Sequence, residues 1–268
     1  MLLTDVVTAT NMNPTYYKFI PIFIKCWKKL FPYINIHIVV VADELIDELQ
    51  PYKEHLKLFK PIDNVETSFI AQNIRLFYPA LLKEAKGGII ITDMDMVPMN
   101  TSYYVEPIKD ISNDKFVCYR PLSCVGKNEM VICYNIAHQD TWSQIFNINT
   151  ENDIIDRVLS IYQKDKYFGE NANIHYKPYW ITDQLYLYEK TQEWNVNTNN
   201  LVILKENLIV ITTKNIYSTN IPENVFYRLW NTIPINFDIL CENKYICDFH
   251  IPRKIKNNTL QDIVNKII

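Results

Sequence analysis

Apolar and polar positions change period along the chain, and the changes mark out its elements. Leu2 to Thr10 is apolar and rich in β-branched residues, which predicts a first strand ending in the small and polar run Thr8, Ala9, Thr10 and Asn11. From Tyr16 to Phe31 the period is helical, with Phe19, Ile20, Phe23, Trp27 and Leu30 on one face. Asn13 reads as its N-cap, Pro14 as its first helical residue, and Pro32 ends it. Asn35 to Val41 predicts a second strand, Asp43 a cap for a short helix stopping before Pro51, and Leu56 to Ile62 a third strand. Thr67 to Lys86 reads as a helix broken at Pro79. Strand and helix alternate throughout this part, which predicts an α/β fold with a mostly parallel sheet and helices on its faces.

The densest signal follows, Gly87 to Met99, GGIIITDMDMVPM. Two glycines precede a short isoleucine run of buried-strand character, which then delivers Asp93, Met94 and Asp95. On an extended chain both aspartates point the same way. Adjacent carboxylates repel, and a divalent cation bridging them to a bound anion relieves that. The plain alternative is a pair of turn-forming residues after a strand. Arg75 stands alone as a cation in an apolar helix just before this strand. It suits bidentate phosphate recognition, and the plain alternative is a salt bridge on the helix surface or to the aspartates.

Beyond residue 100, Lys115 to Arg120 and Met130 to Tyr134 read as strands, separated by a loop from Ser123 to Asn128. Thr141 to Phe146 and Glu151 to Tyr162 read as helices, the second capped by Thr150. Residues Asp165 to Tyr179 lack periodicity and read as a loop. In WITDQLYLY, Trp180 to Tyr188, Thr182 reads as the cap of a helix carrying Asp183 and Gln184 in its first turn. There Asp183 serves either as an ionised base or as a dipole-stabilising residue. Strands are predicted over Leu201 to Leu204, Leu208 to Thr213, Val225 to Asn231 and Tyr245 to Pro252, the last carrying Asp248 and His250. Thr259 to Ile268 reads as a closing helix. No repeat or linker divides the chain, which is read as one domain.

Composition narrows the chemistry. Length and the 48% hydrophobic content of the 268 residues suit a globular protein with a sizeable core. A net charge of −3 provides no basic field for nucleic acid. No run is apolar enough to span a bilayer, and MLLTDVV lacks the basic start of a signal peptide, so a cytoplasmic protein is expected. The six cysteines form no Cys-x-x-Cys pair and read as reduced thiols, and the sequons at Asn100 and Asn257 read as chance. There are four glycines and none before Gly87, which excludes the glycine-rich dinucleotide turn and the P-loop. If the protein binds a nucleoside diphosphate, it must do so through a metal and side chains.

The order of these motifs resembles the GT-A glycosyltransferases: a strand ending in TATN, Arg-Leu-x-x-Pro before the strand, Asp-Met-Asp, Asp-Gln and a late His. The segment IRLFYPALLKEAKGGIIITDMDMVPM is similar to the corresponding part of the glycogenin-like transferases. The CDFHIPR ending is closer to glycosyltransferases encoded by large DNA viruses. The resemblance implies a Rossmann-like GT-A domain over 1–268, with residues 1–100 as nucleotide-binding half and 101–268 as acceptor half and metal-ligand segment. It implies Mn²⁺ or Mg²⁺ held by Asp95, His250 and Asp93, with one imidazole among oxygens favouring Mn²⁺. Thr8, Ala9 and Thr10 would line the base pocket, Arg75 would hold the diphosphate or support Asp93, and Asp183 with Gln184 would face the sugar and the acceptor. The implied partners are a nucleotide-sugar donor, a UDP-hexose, and a glycan acceptor. The late Gly-rich Lys-Pro-Trp element of the glycogenin group is missing, which favours an inverting enzyme with Asp183 as base over a retaining one. A nucleotidyltransferase, a metal-dependent hydrolase and a non-catalytic carbohydrate-binding module are the remaining readings.

Overall fold

The structure, a computed structural model, describes residues 1–121, 128–163, 181–205, 208–211, 226–230 and 246–252. The expected loop at 165–179, Trp180, most of the loop at 123–128, and the expected helix at 259–268 lie outside the described residues, as do Cys124, Cys241 and Asn257.

The first strand, β1 (Leu3–Asn11), leads into two helices where one was expected, α1 (Pro14–Tyr17) and α2 (Ile20–Leu30). Asn13 caps α1 as predicted, its side chain accepting from the Thr15 amide. The break follows from Pro21, whose ring clashes with the carbonyl four residues earlier, at Tyr17. After β2 (Asn35–Val41) the chain forms 3₁₀ turns over Asp47–His55 that run through Pro51. An α-helix was expected to stop before Pro51, because it would need the missing Pro51 N–H to reach Asp47. β3 (Leu56–Phe59) and α3 (Thr67–Phe77) follow, and the predicted break at Pro79 appears as a 3₁₀ turn over Tyr78–Leu81.

β4 (Gly88–Ile91) is preceded by Gly87, where a Cβ would sit 2.3 Å from the Leu2 carbonyl oxygen, so the approach of β1 requires glycine. The chain turns at Met94 and Asp95 into β5 (Met96–Pro98), then forms α4 (Thr101–Val105), capped by the Asn100 side chain. β6 (Phe116–Cys118) and β7 (Asn135–His138) come next. The strand expected at Met130 to Tyr134 lies instead at β7. Asn135 reads in sequence as a turn residue, but it is buried, and its side-chain amide donates to the carbonyls of Val131 and Ile132 at the strand entrance. The remaining elements are α5 (Gln139–Phe146), α6 (Glu151–Tyr162), α7 (Thr182–Thr198), β8 (Leu201–Ile203), β9 (Leu208–Ile211), β10 (Phe226–Trp230) and β11 (Ile246–His250). Thr150 caps α6 in a reciprocal capping box with Asp153. In this glycine-poor chain, asparagine takes the left-handed position that ends a helix: Asn147 after α5 (φ 53°) and Asn199 after α7 (φ 52°).

Among the described residues seven strands form the main sheet, in the order β3-β2-β1-β4-β7-β6-β8. β7 runs antiparallel to both neighbours and the other pairings are parallel. This is the expected mixed, mostly parallel α/β sheet. A smaller sheet runs β5-β11-β10-β9, with β5 antiparallel to β11 and the rest parallel. On one face of the main sheet Val7, Val39, Ile89 and Ile91 pack under α3, α5, α6 and α7. On the other, Val6, Ile38, Val40 and Ile90 share a core with Phe23 and Trp27 of α2 and with Val97, Cys247 and Phe249 of the small sheet. The division at residue 100 is not a structural break, because β5 pairs with β11 across it and β6, β7 and β8 extend the first half's sheet.

Candidate active site

β1 and β4 are parallel neighbours whose carboxyl ends carry Thr8 to Asn11 and Thr92 to Asp95. Ligands of open α/β sheets bind at such ends. Thr8 is fully buried and its hydroxyl has no hydrogen-bond partner among the described residues. Thr10 is also buried, and its hydroxyl donates to the Asn11 carbonyl at 2.9 Å. Ala9, on the opposite face of the strand, packs toward α3.

The two aspartates of Asp-Met-Asp do not share one face. The extended geometry expected for them is replaced by a turn, with the Met96 amide donating to the Asp93 carbonyl at 3.2 Å. Asp93 is thereby sent toward α3 and Asp95 toward β11. Asp93, its side chain 30% exposed, accepts from Arg75 Nη1. Arg75 Nη2 donates to Asp183 Oδ2 at 2.7 Å, while Arg75 Nε donates to the Gln72 carbonyl at 3.0 Å. One guanidinium in the last turn of α3 therefore joins the Asp-x-Asp turn to the first turn of α7.

Asp183 is more enclosed than a first-turn residue open to solvent. Its side chain is 1% exposed, and Oδ1 accepts from Gln72 Nε2 and the Gln184 amide, both at 2.9 Å. Thr182 is the first residue of α7, and the cap position is held by Ile181 without a side-chain bond. Burial pushes the Asp183 carboxyl up, and the charge of Asp93 acts the same way, against the pull of Arg75 and Gln72. Burial alone would also raise Asp93, but Arg75, then His250 and the Cys133 thiol, hold it below the ordinary carboxylate value. Gln184 is half-buried, and its carbonyl accepts from the Met130 amide.

Asp95 faces the small sheet. In the β5–β11 ladder His250 lies opposite Met96, and the Ile251 amide donates to the Asp95 carbonyl at 2.8 Å. This places His250 Nε2 3.5 Å from Asp95 Oδ2, with both side chains below 10% exposure. Adjacent ligands about 2.1 Å from an octahedral cation lie about 3 Å apart, so a small shift makes this pair chelating. Burial holds the His250 imidazole below its ordinary value, against the pull of Asp95, and the nearby Arg228 acts with burial. The neutral form is the one that ligates. Among the described residues no group of three His, Cys, Asp or Glu side chains is arranged for a metal, because the third expected ligand, Asp93, is turned to Arg75. The donor set of Asp95, His250 and diphosphate oxygens nevertheless suits Mn²⁺ or Mg²⁺.

Sequence reasoning missed Gln72, although its i, i+3 spacing from Arg75 places both on one helix face. It also missed a second charged cluster behind β11. Arg120 donates to Asp248 Oδ2, and Arg228 Nε lies 3.5 Å from Asp248 Oδ1. Asp248 and His250, two positions apart on one strand, share a side of it.

No protein-family model and no characterised protein matches the chain. Among solved structures the chain is similar to the galactosyltransferase LgtC in complex with donor and acceptor sugar analogs, at 10% identity over 98% of this chain and 94% of that one, TM-score 0.47. It is similar to the apo-form glycosyltransferase GlyE of Streptococcus pneumoniae TIGR4, at 12% identity over 77% and 46%, TM-score 0.45. A glycosyltransferase involved in the glycosylation of the major capsid of PBCV-1 aligns at 9% identity over 98% and 100%, TM-score 0.43. Among the described residues, no helix is long and apolar enough to cross a membrane, and the cysteines at 26, 118, 133 and 247 are buried.

Proposed function

We propose that this chain is a metal-dependent GT-A glycosyltransferase, moving a sugar from a UDP-hexose to a hydroxyl of a glycan or protein-linked acceptor. The observation that carries the reading is the meeting of Asp95 and His250 beside a guanidinium held between two carboxylates, at the carboxyl ends of β1 and β4. Asp95 and His250 would hold Mn²⁺ or Mg²⁺. Bound there, the metal supplies Lewis-acid stabilisation of charge growing on the leaving diphosphate. Thr8 and Thr10, and Ala9 through its backbone alone, would border the base.

Arg75 is shared between Asp93 and Asp183. A diphosphate offers a guanidinium better bidentate acceptors, so donor binding draws Arg75 toward phosphate oxygens. Asp93 is then released toward the ribose or the metal, and Asp183 toward the acceptor hydroxyl. Its burial-raised pKa makes the freed carboxylate a stronger base, as proton abstraction in an inverting transfer requires. A second reading rests on the same enclosure. If Arg75 keeps hold of Asp183, the carboxylate orients the donor instead and the transfer retains configuration.

The test is calorimetry of UDP binding with Mn²⁺ and with EDTA, then turnover of UDP-hexoses with and without acceptor sugars. Much tighter binding with Mn²⁺ and acceptor-dependent release of UDP are expected. Equal UDP affinity under both conditions would overturn the metal site, and release of free sugar regardless of acceptor would make the protein a hydrolase.

A further inference from the structure

The metal pair is carried on the small sheet, by β11 and by the turn into β5, whereas Arg75, Thr8 and Asp183 belong to the main sheet and its helices. A diphosphate bound to the metal and to Arg75 must touch both. Something has to fix one sheet against the other at this point. The β5–β11 ladder sets only which residues of the small sheet face each other, and the apolar core shared by the two sheets holds them together without a directional bond.

Arg120 lies just past β6, a strand of the main sheet, and reaches across to Asp248 of β11. Both side chains are buried, at 1% and 0% exposure. Arg120 Nε donates to the Tyr103 hydroxyl at 3.1 Å, and its guanidinium carbon lies 4.6 Å from the centre of the Tyr134 ring. Asp248 stands opposite Pro98 of β5 on one side and Arg228 of β10 on the other. Among the described residues the cluster thus holds two guanidiniums and one carboxylate with almost no solvent. Buried ion pairs are weak sources of stability, and apolar residues of similar size commonly replace them without loss. What directional charged bonds add here is a fixed position.

We propose that Arg120 is a positioning residue: through Asp248 it locks the strand carrying His250 against the main sheet, so that the metal and Arg75 engage one diphosphate together. The inference rests on the metal-and-nucleotide reading above. It makes the coupling between Mn²⁺ and UDP the property Arg120 controls, rather than the affinity of either half alone.

Arg120→Met tests this, because it leaves Arg228 to pair with Asp248, and Arg120→Lys provides a second variant that keeps a cation in place. Calorimetry of UDP with Mn²⁺ and with EDTA is run on wild type, His250→Ala and both Arg120 variants, beside their thermal melting. Arg120→Met should reduce the Mn²⁺-dependent gain in UDP affinity by about 10–100-fold, the usual effect of removing support around a metal site. UDP affinity in EDTA should be unchanged, and Arg120→Lys should show a smaller loss in the same direction. An Arg120 variant that melts earlier yet keeps the full gain would overturn the positioning role while leaving the metal site intact, provided His250→Ala loses the gain. A wild type with no gain from Mn²⁺ would overturn both readings.

Discussion

Two charged triads lie on either side of the Asp95–His250 pair, and they are built with opposite stoichiometry. Asp93, Arg75 and Asp183 place one cation between two carboxylates, with Asp93 partly open to solvent. Arg120, Asp248 and Arg228 place one carboxylate between two cations, sealed from solvent. The first sets one cation between two carboxylates at a place that solvent reaches, so its pairing is exchangeable. The second, among the described residues, sets its carboxylate between two guanidiniums out of reach of solvent, so its pairing is fixed. On the proposed reading, similar side chains serve as a contact that substrate replaces and as a joint that must not move. Access to solvent decides which.

Removing the central group of the sealed triad is the sharpest way to break this contrast. Asp248→Ala leaves two buried guanidiniums facing each other, and stability should fall by about 3–5 kcal/mol in urea denaturation; a loss under 1 kcal/mol would mean that water reaches the cluster. Next comes the exchangeable triad. Asp183→Asn preserves shape and removes the proton acceptor, so turnover should fall roughly 10²–10⁴-fold with donor affinity little changed and an inverted product. A retained product, or a defect confined to donor binding, would move Asp183 to the donor-orienting role. Between the triads, Asp95→Ala should abolish the gain in UDP affinity from Mn²⁺ while the melting temperature stays near that of wild type, and a variant that keeps the gain would exclude Asp95 as a ligand.

The smallest effect expected is with pH. Burial lowers the His250 pKa, so the neutral ligating form persists through neutral pH, and protonation sets in only below the ordinary imidazole value of about 6.5. Mn²⁺-dependent UDP affinity should therefore be flat from about pH 8 to 6.5 and fall below that. A decline already complete by pH 7 would exclude His250 as the controlling group. The same sign holds for folding: a depressed imidazole pKa leaves native stability intact above the unfolded value and erodes it as pH falls through the native one.

The strands were legible because burial on both faces writes a continuous apolar run, as in Asn35 to Val41 and the isoleucines of β4. Helix α6 was legible to the residue because its capping box is a local signal. β7 was not, since Asn135 is a turn former whose amide is satisfied by carbonyls that only the folded chain brings near. The candidate site divides the same way. Asp93, Asp95, Asp183 and His250 announce themselves as carboxylates or imidazoles at element ends. That Arg75 joins two of them, and that His250 meets Asp95, are long-range facts that residue spacing does not encode. The expectation of one shared face for Asp93 and Asp95 failed because a period-two rule was applied to a chain that had already turned.

The pairing of β5 with β11 also bears on the order in which the protein comes into being. β5 leaves the ribosome about 150 residues before β11, an interval on the order of 10 s at about 5–20 residues per second. Through that time the edge of β5 has no partner strand and Asp95 has no imidazole beside it. Arg75, Asp93, Asp95 and Asp183 are therefore all translated before His250, and the nascent chain cannot present the Asp95–His250 pair until β11 emerges. The pair itself arrives late in translation, with the strand that closes the small sheet.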